Sequence, residues 1–265
     1  MIDTHCHIHD FSVYKYVCGT KKANSADFTP EKLVKRAREN EVSKIICVGT
    51  TMKDSERARD FASRFSDDRM KIFWAYGIHP DESEKMAEVS FEKIEKDFLA
   101  GSLPVAIGEI GLDFHNDNSN KEMERQIELF RKMLKLAKKY QLPAIFHVRE
   151  AFGEFFRVID EFRGISGVVH SFSDSEAVLQ KCLERGFYIG AGGIMTFRKK
   201  APLPPLERIL LETDAPFLTP VPYRKEINEP HYVRATAEFL AKRYEISTEE
   251  IIARADKNAK NLFGI

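Results

Sequence analysis

Eight short runs of apolar and β-branched residues alternate with stretches of helical period along the 265-residue chain, and this alternation restricts the fold more than any single motif. The strand-like runs cover residues 2–7, 44–49, 71–77, 104–107, 142–147, 167–170, 187–190 and 208–214. Between them, Thr29-Pro30-Glu31 reads as a helix start with proline at the first helical position. Residues 52–65 form a charged helical stretch, and Met123, Ile127, Phe130, Leu134 and Ala137 mark the clearest amphipathic helix. Gly164 and Gly186 fall where helix ends favour positive φ, and two last helices are expected over 230–244 and 248–262. Residues 11–27 read as a long irregular polar loop, and the prolines from Pro202 to Pro205 fall inside the seventh crossover. Parallel strands joined by connections long enough for helical crossovers, in a chain close to the typical ~250 residues, predict an α/β fold, the (β/α)8 TIM barrel. One domain is expected over residues 1–265, with no linker-like tract inside it. The alternative, an open doubly wound sheet, usually carries a glycine-rich turn after its first strand, and here that place is taken by histidines.

In a barrel the C-terminal strand ends share one face, which carries the chemistry. His5 and His7 lie two apart on the first strand and so project together. His79 ends the third strand, Glu109 follows the fourth, His147 ends the fifth, His170 the sixth and Asp214 the eighth. One strand ending in histidine is most simply a hydrogen-bonded core residue. A mouth crowded with imidazoles and carboxylates is costly without a cation to share. Four imidazoles and two carboxylates without a thiolate suit zinc, manganese or magnesium. Six ligands exceed what one catalytic ion with an open position takes, so the cofactor expected is two divalent metal ions bridged by a carboxylate, and the reaction class is hydrolysis.

Composition narrows the partners. Lys plus Arg equals Asp plus Glu at 41 each, so no global basic field would hold the protein on duplex nucleic acid or an anionic membrane. An anionic substrate must be gripped locally. Cys6, Cys18, Cys47 and Cys182 show neither CxxC pairing nor the spacing of a disulfide framework. With no leader-like start and no uncharged stretch long enough to cross a bilayer, a cytoplasmic protein is expected, without membrane contact or an obligate protein partner.

The motifs Asp3-Thr4-His5-Cys6-His7, Gly77-Ile78-His79-Pro80, Gly108-Glu109-Ile110-Gly111-Leu112-Asp113, Phe146-His147-Val148-Arg149, His170-Ser171-Phe172-Ser173 and Leu211-Glu212-Thr213-Asp214-Ala215-Pro216 occur in one order. In this they resemble the TatD-type metal-dependent deoxyribonucleases of the amidohydrolase superfamily. The resemblance covers nearly the whole chain, including Asn228-Glu229-Pro230 and the terminal Asn258 to Gly264. It implies that His5, His7 and Asp214 hold one metal ion, that His147 and His170 hold the other, and that Glu109 bridges them. Asp214 is then the candidate general base, placed to accept the proton of the attacking water. The substrate implied is DNA, cut from a 3′ end or near damage, with single strands or frayed ends admitted most readily by a mouth-shaped site.

Two further residues fit phosphate contact. Arg149 offers a bidentate grip, and His79 a donor to a phosphate oxygen or a group that orients water. The chain departs from the family pattern at Asp81, where many members carry a second histidine, and at Val148, where serine is frequent. His115 is given only a rim role, and His9 and His231 none. The same cage would also serve an esterase, a lactonase or an aminoacyl-tRNA deacylase, since the attack works on carbonyl carbon as on phosphorus. A binding protein that has lost turnover is the reading from another class, and intact Glu109 and Asp214 argue against it.

Overall fold

All eight strand-like runs form strands, which hydrogen-bond in the order β1 to β8, each parallel to the next. They are β1 (Ile2–Cys6), β2 (Lys44–Val48), β3 (Lys71–Tyr76), β4 (Ala106–Asp113), β5 (Ala144–Arg149), β6 (Gly167–Val169), β7 (Tyr188–Ala191) and β8 (Ile209–Leu211). The helices are α1 (Phe11–Lys21), α2 (Pro30–Glu39), α3 (Met52–Phe65), α4 (Phe91–Ala100), α5 (Asn120–Tyr140), α6 (Phe152–Asp160), α7 (Glu176–Glu184), the single turn α8 (Ile194–Phe197), α9 (Val233–Tyr244) and α10 (Thr248–Phe263). The computed structural model describes residues 1–101, 103–116, 119–198 and 201–265, with residues 86–88 described by backbone alone. The architecture is the (β/α)8 barrel. Among the described residues no helix is long and apolar enough to cross a membrane.

The alternation of side chains along each strand separates two apolar layers. Ile46, Val48, Ala75, Ala106, Ile145, Val168 and Leu210 pack together inside the barrel, with Ile2, and with Ala259 and Phe263 of α10 against them. Their sequence neighbours, such as Ile45, Cys47, Phe146, Val169 and Ile209, face outward into the larger layer beneath the helices. There Phe146 meets Phe130, Phe155 and Phe187 with ring centroids 5.1–6.1 Å apart.

Several expectations are corrected. The segment after β1 is not an irregular loop. The Asp10 side chain accepts from the backbone N–H of Ser12 and Val13, capping α1, and Tyr14, Val17 and Cys18 bury one helical face; a 3-10 turn, Ser25–Phe28, follows. The fourth strand does not stop before Gly108. It pairs with β5 through Asp113, with a register slip between Ile107 and Ile110, so Glu109 lies within the strand. Gly111 permits this: it has φ +147°, and a Cβ there would lie 1.9 Å from the His147 carbonyl oxygen. β5 begins after Pro143, which has no N–H to give the ladder, and runs past His147 to Arg149. β6 and β8 end early, at Val169 and Leu211, so His170 and Asp214 stand just beyond their strands. Among the described residues the seventh crossover holds the single turn α8 before the proline-rich stretch.

The seam between β1 and β8 is closed by side chains more than by a ladder. Cys6 and Ala215 form one isolated parallel bridge. Beside it the Thr4 hydroxyl donates to the Leu211 carbonyl at 3.0 Å. The fully buried Asp3 carboxylate accepts from the Thr213 N–H at 2.9 Å and the Thr213 hydroxyl at 2.6 Å. Beyond the last β7–β8 pair at Leu211, Asp3 takes the Thr213 N–H, and the Asp214 N–H, at φ +58°, donates to the His5 carbonyl at 2.8 Å. Replacing Asp3 by alanine leaves these donors unpaired inside the protein and should cost about 2–4 kcal/mol in equilibrium urea unfolding. Asp3→Asn should cost less, and an alanine variant as stable as wild type would show that the seam is held elsewhere.

Candidate metal centre

Strand parity decides which side chains reach the barrel mouth. On β5 and β6 the interior residues Ile145 and Val168 are followed two positions on by His147 and His170, whereas His79 and Asp214 lie in the turns three residues past the ends of β3 and β8. On β1 and β4 the interior residues Ile2 and Ala106 have the opposite parity to His5, His7 and Glu109. The register slips between Asp3 and Cys6 and between Ile107 and Ile110 supply the change of face. A bulge re-aims side chains in this way.

Two sets of donor atoms result. In the first, His5 Nε2 and His7 Nε2 stand 3.2 Å apart. Glu109 Oε2 is 3.5 and 3.9 Å from them, and Asp214 Oδ1 is 3.6 and 3.4 Å away. In the second, His147 Nδ1 and His170 Nε2 are 3.2 Å apart, and Glu109 Oε1 lies 2.8 and 2.7 Å from them. Donors bound to one ion at zinc-like distances stand about 3.0–3.4 Å from each other. One carboxylate therefore offers one oxygen to each pair of imidazoles.

The tautomers suit ligation. His7 Nδ1 lies 2.9 Å from the Val48 carbonyl and must donate to it, which leaves the Nε2 lone pair free. His147 Nε2 lies 2.8 Å from Asp113 Oδ2, which leaves Nδ1 as its donor atom. Imidazole lone pairs 3.2 Å apart repel unless a proton or a cation stands between them. The titration of the site carries the same demand for positive charge. Burial works against ionisation of Glu109, but His170 and His5, with bonds to His147 and His170, hold its carboxyl well below the usual range. Burial opposes charge on His147 too, yet Asp113 and Glu109 lift it to about 10. The residues present thus fit a pair of divalent cations.

All six ligands expected from the sequence, His5, His7, Glu109, His147, His170 and Asp214, are brought together. His79 stands beside them, its ring 4.4 Å from that of His147. Its Nδ1 accepts from the Asp81 N–H at 3.2 Å, so Nε2 carries the proton and faces the cage, 3.8 Å from Glu109 Oε1. Burial, then the charge of His147, lowers its pKa to about 3, which keeps it a neutral donor. Arg149 closes β5 at the surface, and among the described residues its side chain makes no hydrogen bond or ion pair. Of the other histidines, His9 is buried 3.2 Å from Asp54, His115 meets Glu150 on the rim at 2.6 Å, and His231 lies 3.5 Å from Glu229.

Three residues of the site were not singled out from the sequence. Asp113 lies four residues after Glu109 on the same strand, a spacing that places both on one face. Glu212 precedes Asp214 by two, the same relation as His5 to His7. Its carboxylate accepts from the Ser171 N–H at 2.5 Å, and Oε1 lies 3.8 Å from His170 Nδ1. Burial pushes its pKa up to about 7. A Cβ on Gly190 would approach Glu212 Oε2 to 2.4 Å, so glycine there keeps room for the carboxylate. Phe217, 42% exposed, stands over the mouth with its ring 6.4 Å from that of His7; no periodicity distinguishes it in sequence.

Comparison with known proteins gives a concordant picture. Residues 2–264 match the family model described as TatD related DNase. The metal-dependent hydrolase YabD of Bacillus subtilis (strain 168) is 35% identical, over 100% of this chain and 99% of its own length. The 3'-5' ssDNA/RNA exonuclease TatD of Citrobacter rodentium (strain ICC168) is 31% identical, over 89% of this chain and 92% of its own. Among solved structures, YJJV, a TatD homologue from Escherichia coli K12, superposes with a TM-score of 0.84 at 29% identity, covering 100% of this chain and 98% of that one.

If Asp113 orients His147 toward a cation, Asp113→Ala should weaken one of two metal-binding events by about 10–100-fold in calorimetric titration with Mn²⁺ or Zn²⁺, leaving the other close to wild type. Glu109→Ala should weaken both. Unaltered titration of the Asp113 variant would remove it from the centre.

Proposed function

Since the chain belongs to the family of TatD-related DNases and is a metal-dependent hydrolase, we propose that it is a deoxyribonuclease that hydrolyses phosphodiester bonds with two divalent metal ions. We further propose that it acts as a 3′-to-5′ exonuclease on single-stranded or frayed DNA ends, in DNA repair or degradation. The observation that carries this reading is the division of the Glu109 carboxylate between two imidazole pairs, with the free guanidinium of Arg149 and the Nε2–H of His79 at the same mouth. Such a cage with anion donors over it suits a phosphodiester.

When bound, the two ions supply Lewis-acid stabilisation of charge on the phosphoryl oxygens and lower the pKa of water. His5, His7 and Asp214 would hold one ion, His147 and His170 the other, and Glu109 both. The chain's own groups do the rest. Asp214 is ionised, because although burial opposes it, the bond to His7 and the charge of His5 hold its carboxyl below the usual range. It accepts the proton of the attacking water. His79 donates to one non-bridging oxygen, and Arg149 pairs with the phosphate. Water attacks phosphorus in line, the bond from phosphorus to the 3′ oxygen breaks, and that oxygen takes up a proton as the shortened strand leaves. Exposed Phe217 gives an unstacked base a face to lie on, a contact worth about 1–3 kcal/mol that a base inside a duplex cannot make. This supports the preference for single strands.

Time courses on 5′-labelled and 3′-labelled single-stranded and duplex DNA with Mg²⁺, Mn²⁺ or Zn²⁺ test the reading. A metal-dependent ladder shortening from the 3′ end is expected, lost in Glu109→Ala and Asp214→Asn. Phe217→Ala should lower kcat/KM on single strands about 10-fold or more, and Phe217→Tyr should restore it. Turnover of an ester, lactone or aminoacyl linkage without any DNA product would replace the nuclease reading with hydrolysis at carbonyl carbon.

A further inference from the structure

Two clefts open from the metal centre, and they differ in charge. One, of about 500 Å³, runs past His79 and is walled by Asp10, Asp54, Asp81 and Glu82. The other, of about 480 Å³, runs past Phe152, Phe172 and Arg198. Arg149, His147, His170, Asp214 and Phe217 belong to both linings, so the clefts meet over the cage.

The carboxylates of the first cleft are unequally compensated. Arg57 lies 3.4 Å from Asp10, His9 3.2 Å from Asp54, and Lys85 2.8 Å from Glu82. Among the described residues the one ion-pair partner of Asp81 is His79 Nδ1, 3.6 Å away, which presents a lone pair because it accepts the Asp81 N–H; beyond it, the charge of His147 also acts on Asp81. The Asp81 side chain is 56% exposed to the cleft and solvent. In the second cleft Glu150 is held by His115, and apart from Asp214, which both clefts share, Asp174 is the remaining acid against the guanidinium groups of Arg149 and Arg198. Phe152, Phe172, Ile194 and Leu218 add apolar wall.

A polynucleotide threaded through both clefts would lay a phosphate against Asp81, where like charges repel across a partly enclosed space. A 3′ terminus needs no such phosphate, since beyond the scissile group it carries only an uncharged nucleoside with a free hydroxyl. We infer that the acidic cleft seats the 3′-terminal nucleoside and rejects a continuing strand, while the cleft bearing Arg198 carries the rest of the chain. This rests on the nuclease reading and adds to it the reason for exonuclease action. Asp81 acts here as a specificity determinant, by excluding charge.

The test compares matched single-stranded oligonucleotides ending in a 3′ hydroxyl or a 3′ phosphate, the same pair differing at the 5′ end, and a circular single strand. Wild type with Mg²⁺ or Mn²⁺ should have kcat/KM at least tenfold lower on the 3′ phosphate, should ignore the 5′ group, and should leave the circle intact. Asp81→Asn should narrow the 3′ discrimination severalfold, and Asp81→Glu should restore it. Equal rates on both 3′ ends, cutting of the circle at a comparable rate, or discrimination unchanged in Asp81→Asn would overturn the inference while leaving the nuclease reading in place. Failure to cut any of these substrates with any metal would instead remove the nuclease reading, and this inference with it.

Discussion

The site depends on one electrostatic constraint, the approach of nitrogen lone pairs to one another around a single carboxylate. Each pair of imidazole donor atoms lies 3.2 Å apart, and each faces a different oxygen of Glu109. Outside that constraint the surrounding features have no common purpose. The Val48 carbonyl and Asp113 select tautomers, and the bulges in β1 and β4 turn the necessary side chains inward. Gly111 and Gly190 keep backbone and carboxylate from collision. The apolar layer of Ile46, Ile145, Val168 and Leu210 beneath them fixes where the strand ends can lie. Burial alone would neutralise Glu109, and it stays charged because the imidazoles outweigh that penalty.

Much of this was legible in the sequence, for a physical reason. Parallel strands buried on both faces read as apolar runs, and their order around the barrel follows from short right-handed crossovers, so eight runs gave eight strands. Residues at strand ends inherit the parity of the apolar residues before them, which is why His147 and His170 were found from pattern alone. What pattern could not show was anything set by a partner distant in sequence. The chain after β8 is held by Asp3, which takes the Thr213 N–H across the seam. Glu109 falls within a strand because Gly111 lets it pass against β5, although glycine in sequence reads as a break. Residues 11–27 looked irregular because their apolar positions are few, yet one good cap and three buried side chains suffice for a helix against the core.

The mouth itself is unequal in kind. One side of the cage is bordered by acids and the other by aromatic rings and guanidinium groups, although the chain as a whole is neutral. Net charge therefore says little about how such a protein meets a polyanion. The field that matters acts over the few ångströms between a carboxylate such as Asp81 and the group beside it, where salt screens least.

The seam between β1 and β8 joins side chains 210 residues apart, Asp3 to Thr213, and the first donor set likewise draws on both ends of the barrel. A growing polypeptide that has not yet reached Asp214 can present His5 and His7 but cannot complete their partners or close the cylinder behind them. The first donor set is thus assembled by barrel closure itself, since it exists only when the residues after β8 lie beside β1.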